Sequence, residues 1–323
     1  MDDSQDILVS VCVITYNQEQ FIRQCLDSIL MQKVNFNYEL IVGDDYSKDS
    51  TRSILQDYQQ KHPECVLPVL ADSNSGISAN YKRVLSRCKG KYIALCEGDD
   101  FWIGPNRLQK QIDFLESHEE YGFVGGNATI LVGNEMTFES YDYLPNPIVD
   151  GEWELYENVL DYAKFGPVTR TVTLCFRKSL IDPYVDIEGI GNDLVLQTIL
   201  AKFSKFAKLS EAIGAYRQNG ISTSTDNFDS IFRYANWRYE CLSLQKELFP
   251  EDCNWDSDEV SDHRYYAILR YYIKHFQLRK VKVIRKKIRS KKFRNKVSYR
   301  FSNNLISSFL LGIFTRIRVS SSS

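Results

Sequence analysis

The chain is short of the residues that build soft-metal sites. Its 323 residues include only 4 histidines, His62, His118, His263 and His275, scattered without metal-ligand spacing. The 8 cysteines (Cys12, Cys25, Cys65, Cys88, Cys96, Cys175, Cys241 and Cys253) show no paired spacing either. Several lie inside apolar runs, as reduced core thiols do, so no disulfide framework is expected. No secretory leader opens the sequence: Met1-Asp2-Asp3-Ser4-Gln5-Asp6 is acidic and leads straight into a strand pattern, which reads as cytoplasmic. The apolar run Leu305 to Phe314 is about half of what a bilayer span requires. No internal repeat is visible, and only Ser320 to Ser323 is low in complexity. Acidic residues are missing altogether from Arg264 onward, where 17 of the 40 Lys and Arg fall, so the remainder sets 23 bases against all 42 acids. An acidic body and a basic tail imply different partners for the two.

What is present is ample for a packed core: 43% hydrophobic residues, with 18 Phe and 20 Tyr. The first half alternates strand and helix patterns. Ile7 to Ile14, Tyr38 to Gly43, Val66 to Leu70 and Tyr92 to Cys96 read as strands. Between them, helical spacing covers Gln18–Gln32, Arg52–Lys61 and Ser78–Cys88. That order predicts a doubly wound, mainly parallel α/β sheet. Further on, strands are expected at Gly122–Gly126, Ala128–Val132, Thr171–Phe176 and Ala207–Tyr216, with a helix over Asp193–Phe203. Beyond Asp226 the pattern is helical, with a long helix over Asp262–Lys292. We therefore divide the chain into 1–115, 116–225 as a mixed second half of the same domain, and 226–323 as a helical extension, basic and amphipathic from about 264.

The acidic tetrad Glu97-Gly98-Asp99-Asp100 carries most chemical information. It ends the strand Tyr92-Ile93-Ala94-Leu95-Cys96, apolar at every position, as in a strand covered on both faces. Open α/β sheets bind ligands at that carboxyl edge. Crowded carboxylates repel unless something positive lies among them, and hard divalent cations commonly bridge carboxylates to phosphates.

Three motifs follow one another in order: Val11-Cys12-Val13-Ile14-Thr15-Tyr16-Asn17, then Val42-Gly43-Asp44-Asp45-Tyr46-Ser47-Lys48-Asp49, then Gly90 through the tetrad to Phe101-Trp102. Over about residues 7–225 the chain resembles the family-2 glycosyltransferases, inverting enzymes with a GT-A fold that binds nucleotide sugars. The resemblance implies that Thr15, Tyr16, Asn17, Asp44, Asp45, Asn74 and Asn80 line the nucleotide. It also implies that Asp99 and Asp100 hold ribose and a Mg²⁺ or Mn²⁺ ion, with Glu97, an Asp in the commonest family form, near the metal. Lys82, Arg83, Arg107 and Lys110 are weaker candidates for the diphosphate, since each reads equally as a solvated helix residue.

In the family an acidic residue at a helix start removes the acceptor's proton. Gly189-Ile190-Gly191-Asn192-Asp193 matches, making Asp193 the candidate base, with Glu188 and Asp186 behind it. An Asp at a helix start is often only an N-cap, and that is the lesser alternative for Asp193. The segment Tyr216-Arg217-Gln218 resembles one that often carries a histidine, absent here, so Arg217 is the residue left to face the phosphates. The implied activity is metal-dependent transfer of a hexosyl or N-acetylhexosaminyl group from a UDP-sugar to a glycan or lipid-linked glycan in surface polysaccharide biosynthesis. The alternative is a non-catalytic nucleotide-binding, membrane-docking module. A nucleotidyltransferase is disfavoured because Thr15-Tyr16-Asn17-Gln18-Glu19-Gln20 offers no glycine-rich basic phosphate loop.

In the tail, Val297, Phe301, Leu305, Phe309, Ile313 and Ile317 recur every four residues beside the Lys/Arg cluster from Arg279 to Arg300. A stripe of this kind next to positive charge suits an anionic membrane surface, hence a peripheral position on the cytoplasmic face of the plasma membrane. Nucleic acid is not an expected partner, because it would leave the stripe unexplained.

Overall fold

β1 (Val9–Thr15) is buried along its whole length and pairs in parallel with β2 (Tyr38–Asp44) on one side and β4 (Tyr92–Glu97) on the other. A computed structural model describes residues 6–218 except 134, 140–143, 164–166 and 188, together with 239–252 and isolated positions between 265 and 287. The chain divides into two compact units, Met1–Gln218 and Asn219–Ser323. In the first, β3 (Val66–Leu70) adds in parallel to β2 and forms the sheet's edge.

Three helices fill the crossovers. α1 (Ile22–Leu30) buries Ile22, Cys25, Leu26 and Ile29, each worth about 1.5–3 kcal/mol for the larger aliphatic side chains. It starts later than the periodicity predicts, because residues 17–19 are engaged elsewhere: their amides donate to Ser47 Oγ, Thr51 Oγ1 and Asp49 Oδ2. α2 (Thr51–Lys61) and α3 (Ile77–Leu85) follow the expected spans closely.

Beyond β4 come β5 (Phe101–Trp102) and α4 (Arg107–Ser117), and the sheet becomes mixed. β6 (Tyr121–Val132) is one strand where two were expected. Gly125 and Gly126 do not interrupt it; they make room for neighbours, since a Cβ there would stand 2.7 Å from Thr169 Cβ and 2.6 Å from Ile213 Cδ1. β7 (Glu135–Glu139), β8 (Ile148–Asp150) and β9 (Trp153–Tyr156) form antiparallel additions, followed by the short α5 (Leu160–Ala163).

The strand expected over Thr171–Phe176 opens instead as a 3-10 turn, Thr171–Thr173, and only β10 (Cys175–Arg177) is extended. The carbonyls of Val172 and Thr173 are taken by Arg107 Nη1 (2.6 Å) and Gln111 Nε2 (2.8 Å), so they are not offered to a neighbouring strand. β10 lies antiparallel between β4 and β6. α6 (Asp193–Phe203) and the long β11 (Lys205–Gln218) complete the unit, giving the order β3-β2-β1-β4-β10-β6-β11-β9-β8. The architecture is the expected α/β sheet, parallel through its first half and mixed in its second.

In the second unit a helix covers residues 239–248, with Cys241 and Leu242 buried. The amphipathic stripe from Val297 to Ile317 lies outside the described residues, as does most of the helix expected over 262–292. Among the described residues no helix is long and apolar enough to cross a membrane.

Candidate active site

The parallel register brings the sequence motifs to one edge. Thr15 stands opposite Asp44, and Ile14 opposite Glu97, so three motif strands end at the same level. The loops beyond them are stitched together. Thr15 Oγ1 donates to Gln18 Oε1 at 2.8 Å, and both residues abut Gly98, whose missing side chain lets the tetrad turn close over them. Asn17 takes a left-handed conformation (φ 52°) and accepts from the Lys48 amide at 2.8 Å, joining the first loop to the second. It is not the cap of α1; Phe21 occupies that position. Tyr16 is 45% exposed, a ring standing free at the edge.

Asp44 and Asp45 do different work. Asp44 is fully buried, and its Oδ2 accepts from the Tyr46 and Ser47 amides and from Arg52 Nε at 2.6 Å. Tyr46 is held at φ 69°, a left-handed backbone that costs a non-glycine residue about 1–2 kcal/mol, with the Lys48 ammonium 3.2 Å from its ring centroid. Asp45 accepts from the Ser75 amide (3.0 Å), Ser75 Oγ (2.9 Å) and the Gly76 amide (2.7 Å). Burial pushes its carboxyl up, but these donors and Arg83 together outweigh burial and hold it below the usual carboxylate range.

The amide candidates after β3 separate. Asn74 is exposed, whereas Asn80 is 2% exposed and turned inward, donating to the Gly43 carbonyl and accepting from Arg83. The cations are largely engaged. Arg83 supports the loop through Ser75 Oγ at 2.7 Å, and Lys82 pairs with Asp186 at 2.7 Å. Lys110 is held between Glu152 and Glu211. Arg107 is buried beneath the sheet, 4.0 Å from the Trp102 ring centroid, and desolvation pulls its guanidinium down to about 9. These last two are structural residues rather than phosphate ligands.

At the tetrad, Gly98 N donates to the Ile14 carbonyl and Asp100 N to the Glu97 carbonyl, forming a tight turn. Arg217 braces it from β11: its amide donates to Asp100 Oδ1 at 2.8 Å, its Nε to the Asp99 carbonyl at 2.8 Å, and its Nη2 to Gln24 at 2.7 Å. Glu97 accepts from the Tyr81 hydroxyl at 3.2 Å. Burial, followed by the charge of Asp99, lifts the Glu97 carboxyl to about 7, and burial with the charges of Glu97 and Asp99 lifts Asp100 as well. Such mutual repulsion is what a bound cation relieves.

The all-oxygen donor set fits Mg²⁺ or Mn²⁺. Among the described residues no group of three His, Cys, Asp or Glu side chains is gathered closely enough to hold an ion unaided. The fit is therefore that of a site in which one or two carboxylates share the ion with substrate phosphates, the usual arrangement for Mg²⁺.

Asp193 opens α6 and Asn192 is its N-cap; the Leu194 amide donates to both the Asn192 side chain at 3.0 Å and Asp193 Oδ1 at 2.8 Å. Burial raises the Asp193 carboxyl, with the Leu194 amide and the Arg170 charge opposing. The start of α6 approaches the tetrad through Gly191, which packs against Tyr81, whose hydroxyl bonds Glu97; the negative charge of Asp193 adds to the upward shift of the Glu97 carboxyl. Asp186 is exposed and paired with Lys82, and Glu188 lies outside the described residues. Tyr81 and Arg170 had no legible signal in the sequence. Tyr81 reads as one more apolar position of α3, and Arg170 belongs to no motif; its guanidinium lies 4.6 Å from the Tyr216 ring centroid.

A family model, Glycosyl transferase family 2, matches residues 10–178. The putative glycosyltransferase EpsE of Bacillus subtilis is 36% identical over 138 residues, covering 43% of this chain and 48% of that protein. The chain matches 32–48% of the length of the first curated relatives. Among solved structures, Staphylococcus aureus TarS 1–349 in complex with UDP-GlcNAc superposes with a TM-score of 0.58 at 15% identity, over 96% of this chain and 92% of that one. The mannosyltransferase PcManGT from Pyrobaculum calidifontis, in complex with GDP-Man and Mn²⁺, gives 0.52 at 14% identity, over 97% and 91%. At those identities the structural likeness speaks to the fold. The motif order, the shared strand edge and a family match over more than half of the sequence converge, and the chain belongs to glycosyl transferase family 2.

Proposed function

We propose that this protein is an inverting, metal-dependent glycosyltransferase that moves a sugar from a UDP-linked donor to a hydroxyl of a glycan or lipid-linked glycan in surface polysaccharide synthesis. The observation that carries this reading is the approach of the α6 start, which bears Asp193, to the strand-edge carboxylates of the nucleotide half, through the contact of Gly191 with Tyr81 and the bond of Tyr81 to Glu97. The names of relatives and neighbours support it: EpsE is a putative glycosyltransferase, and TarS was solved with UDP-GlcNAc.

In the mechanism, the loop ends at Thr15, Tyr16, Asn17, Asp45 and Asn74 receive the nucleotide, with Asp44 fixing the loop beneath. Asp193 accepts the proton of the acceptor hydroxyl as its oxygen attacks the anomeric carbon. The bond from that carbon to the diphosphate breaks on the opposite face, which inverts the centre. Burial of the Asp193 carboxyl makes it the stronger base for this task. Asp99, with Asp100 and Glu97 beside it, would hold Mg²⁺ or Mn²⁺, which neutralises charge on the departing diphosphate. Arg217 keeps the tetrad turn in place.

The basic tail beyond Arg264, with its apolar stripe, supports docking on an anionic membrane from the cytoplasmic side. The test of function is diphosphate release from a panel of nucleotide sugars, with and without Mn²⁺. Asp193→Asn is expected to abolish turnover while leaving nucleotide binding intact. Turnover by that variant at the wild-type rate would refute the assignment of the base.

A further inference from the structure

Tyr81 touches both halves of this site. It lies on α3, 3% exposed, with its hydroxyl donating to Glu97 Oε1 at 3.2 Å. On its other side the backbone of Gly191 presses against the ring: a Cβ on Gly191 would stand 2.8 Å from Tyr81 Cβ and Cδ2. No side chain but hydrogen fits there, and Gly191 precedes Asp193 by only two residues. One residue thus spans from the carboxylate at the end of β4 to the turn that launches α6.

The contact also gives a reason for glutamate at position 97. Aspartate would draw the carboxylate back by one methylene, about 1.5 Å, and a 3.2 Å hydrogen bond to Tyr81 would be lost. α3 is anchored at its start as well, because Asp45 grips Ser75 and Gly76 immediately before Ile77. The nucleotide loop, the tetrad and the Asp193 turn are therefore tied through a single short helix.

Resting on the functional reading above, we propose that Tyr81 is a positioning residue for sugar transfer. Its hydroxyl orients Glu97, its ring seats the Gly191 turn, and together these contacts set Asp193 at its working distance from the strand edge. Misplacement by about 1 Å costs on the order of a hundredfold in rate, so a slackened contact is expected to lower kcat far more than it lowers nucleotide affinity.

The test is a double-mutant cycle on Tyr81→Phe and Glu97→Asp in the full chain. It is read as kcat for diphosphate release with whichever nucleotide sugar the wild type turns over, alongside Kd for UDP with Mn²⁺ and the melting temperature. Each single variant is expected to lose about ten- to a hundredfold in kcat, with UDP affinity within about twofold in Tyr81→Phe. The double variant should be no slower than the slower single, because both remove the same contact. Multiplying losses, or a wild-type kcat in Tyr81→Phe, would overturn the proposal.

An arm independent of turnover places 3-fluorotyrosine at position 81 and follows its fluorine resonance in the metal-free protein. Glu97→Gln and Gly191→Ala should each move it; a resonance unmoved by both overturns the proposal. A wild type inactive toward every donor would defeat the functional reading, while the fluorine arm still decides whether the contact exists.

Discussion

Replacing Asp45 with asparagine should loosen the nucleotide loop, and the size of the effect follows from its hydrogen bonds. The carboxylate is 3% exposed and accepts from two backbone amides and a hydroxyl at 2.7–3.0 Å, with Arg83 Nη2 at 3.5 Å. Hydrogen bonds to a charged group contribute about 1.5–3 kcal/mol each when a buried partner is stranded. Ser75 lies in an exposed loop and regains water on release, which reduces the sum. We expect about 2–3 kcal/mol for Asp45→Asn, which keeps one acceptor but turns an N–H donor toward the loop amides. In a unit of this size that is about 4–10 °C in melting temperature.

The pH dependence fixes the sign. The Asp45 carboxyl is held below its ordinary value, burial notwithstanding, so its contribution is complete above the unfolded carboxylate range of about 4 and fades as pH falls through the lower folded value. The melting-temperature gap between wild type and variant should therefore be full at pH 7 and narrow below about pH 4. A gap under about 1 °C at pH 7, or one that stays constant on acidification, would refute this account. Titration with UDP then separates direct from indirect recognition: affinity lost in Asp45→Asn but not in Ser75→Ala assigns the carboxylate to the nucleotide itself.

Other outcomes are checked more simply. Gly43→Ala should destabilise by about 1–3 kcal/mol in thermal melts through overpacking, because its Cβ would press on the Val84 side chain and stand 2.6 Å from Asn80 Oδ1. Arg107→Met should cost about 2–4 kcal/mol by denaturant titration, since it strands the Val172 carbonyl and Gln111 Oε1. Full diphosphate release in excess chelator would rule out the metal role assigned to Asp99 and Asp100. Truncation at about Arg279 should release the protein from anionic vesicles with the rest of its fold intact; equal vesicle binding by both forms would defeat the docking role of the tail.

The first half was legible because its strands are mostly apolar runs and each is followed by a helix pattern with turn residues between. The helix start at Asp193 was legible from a glycine-flanked acid, although only the structure shows Asn192 as its cap. The second half was harder to read. Paired glycines in β6 look like a break until their close neighbours Thr169 and Ile213, one for each glycine, are seen. The 3-10 turn at Thr171–Thr173 depends on Arg107 and Gln111, more than sixty residues earlier in sequence. β-branched residues at 171–173 favour a strand locally, and that preference loses to distant hydrogen bonding. Asn80 was misread for a related reason: an amide on a helix near the ligand edge looks available, but the backbone of Gly43 comes close enough to claim it.

β10 holds only three residues, yet it is the splice through which the two halves of the sheet become continuous, pairing Cys175 with both Ala94 and Val124. A shift of one residue at Phe176 would therefore slide the carboxyl edge of the parallel strands past β6 and β11, and with it the tetrad past the turn that Arg217 braces.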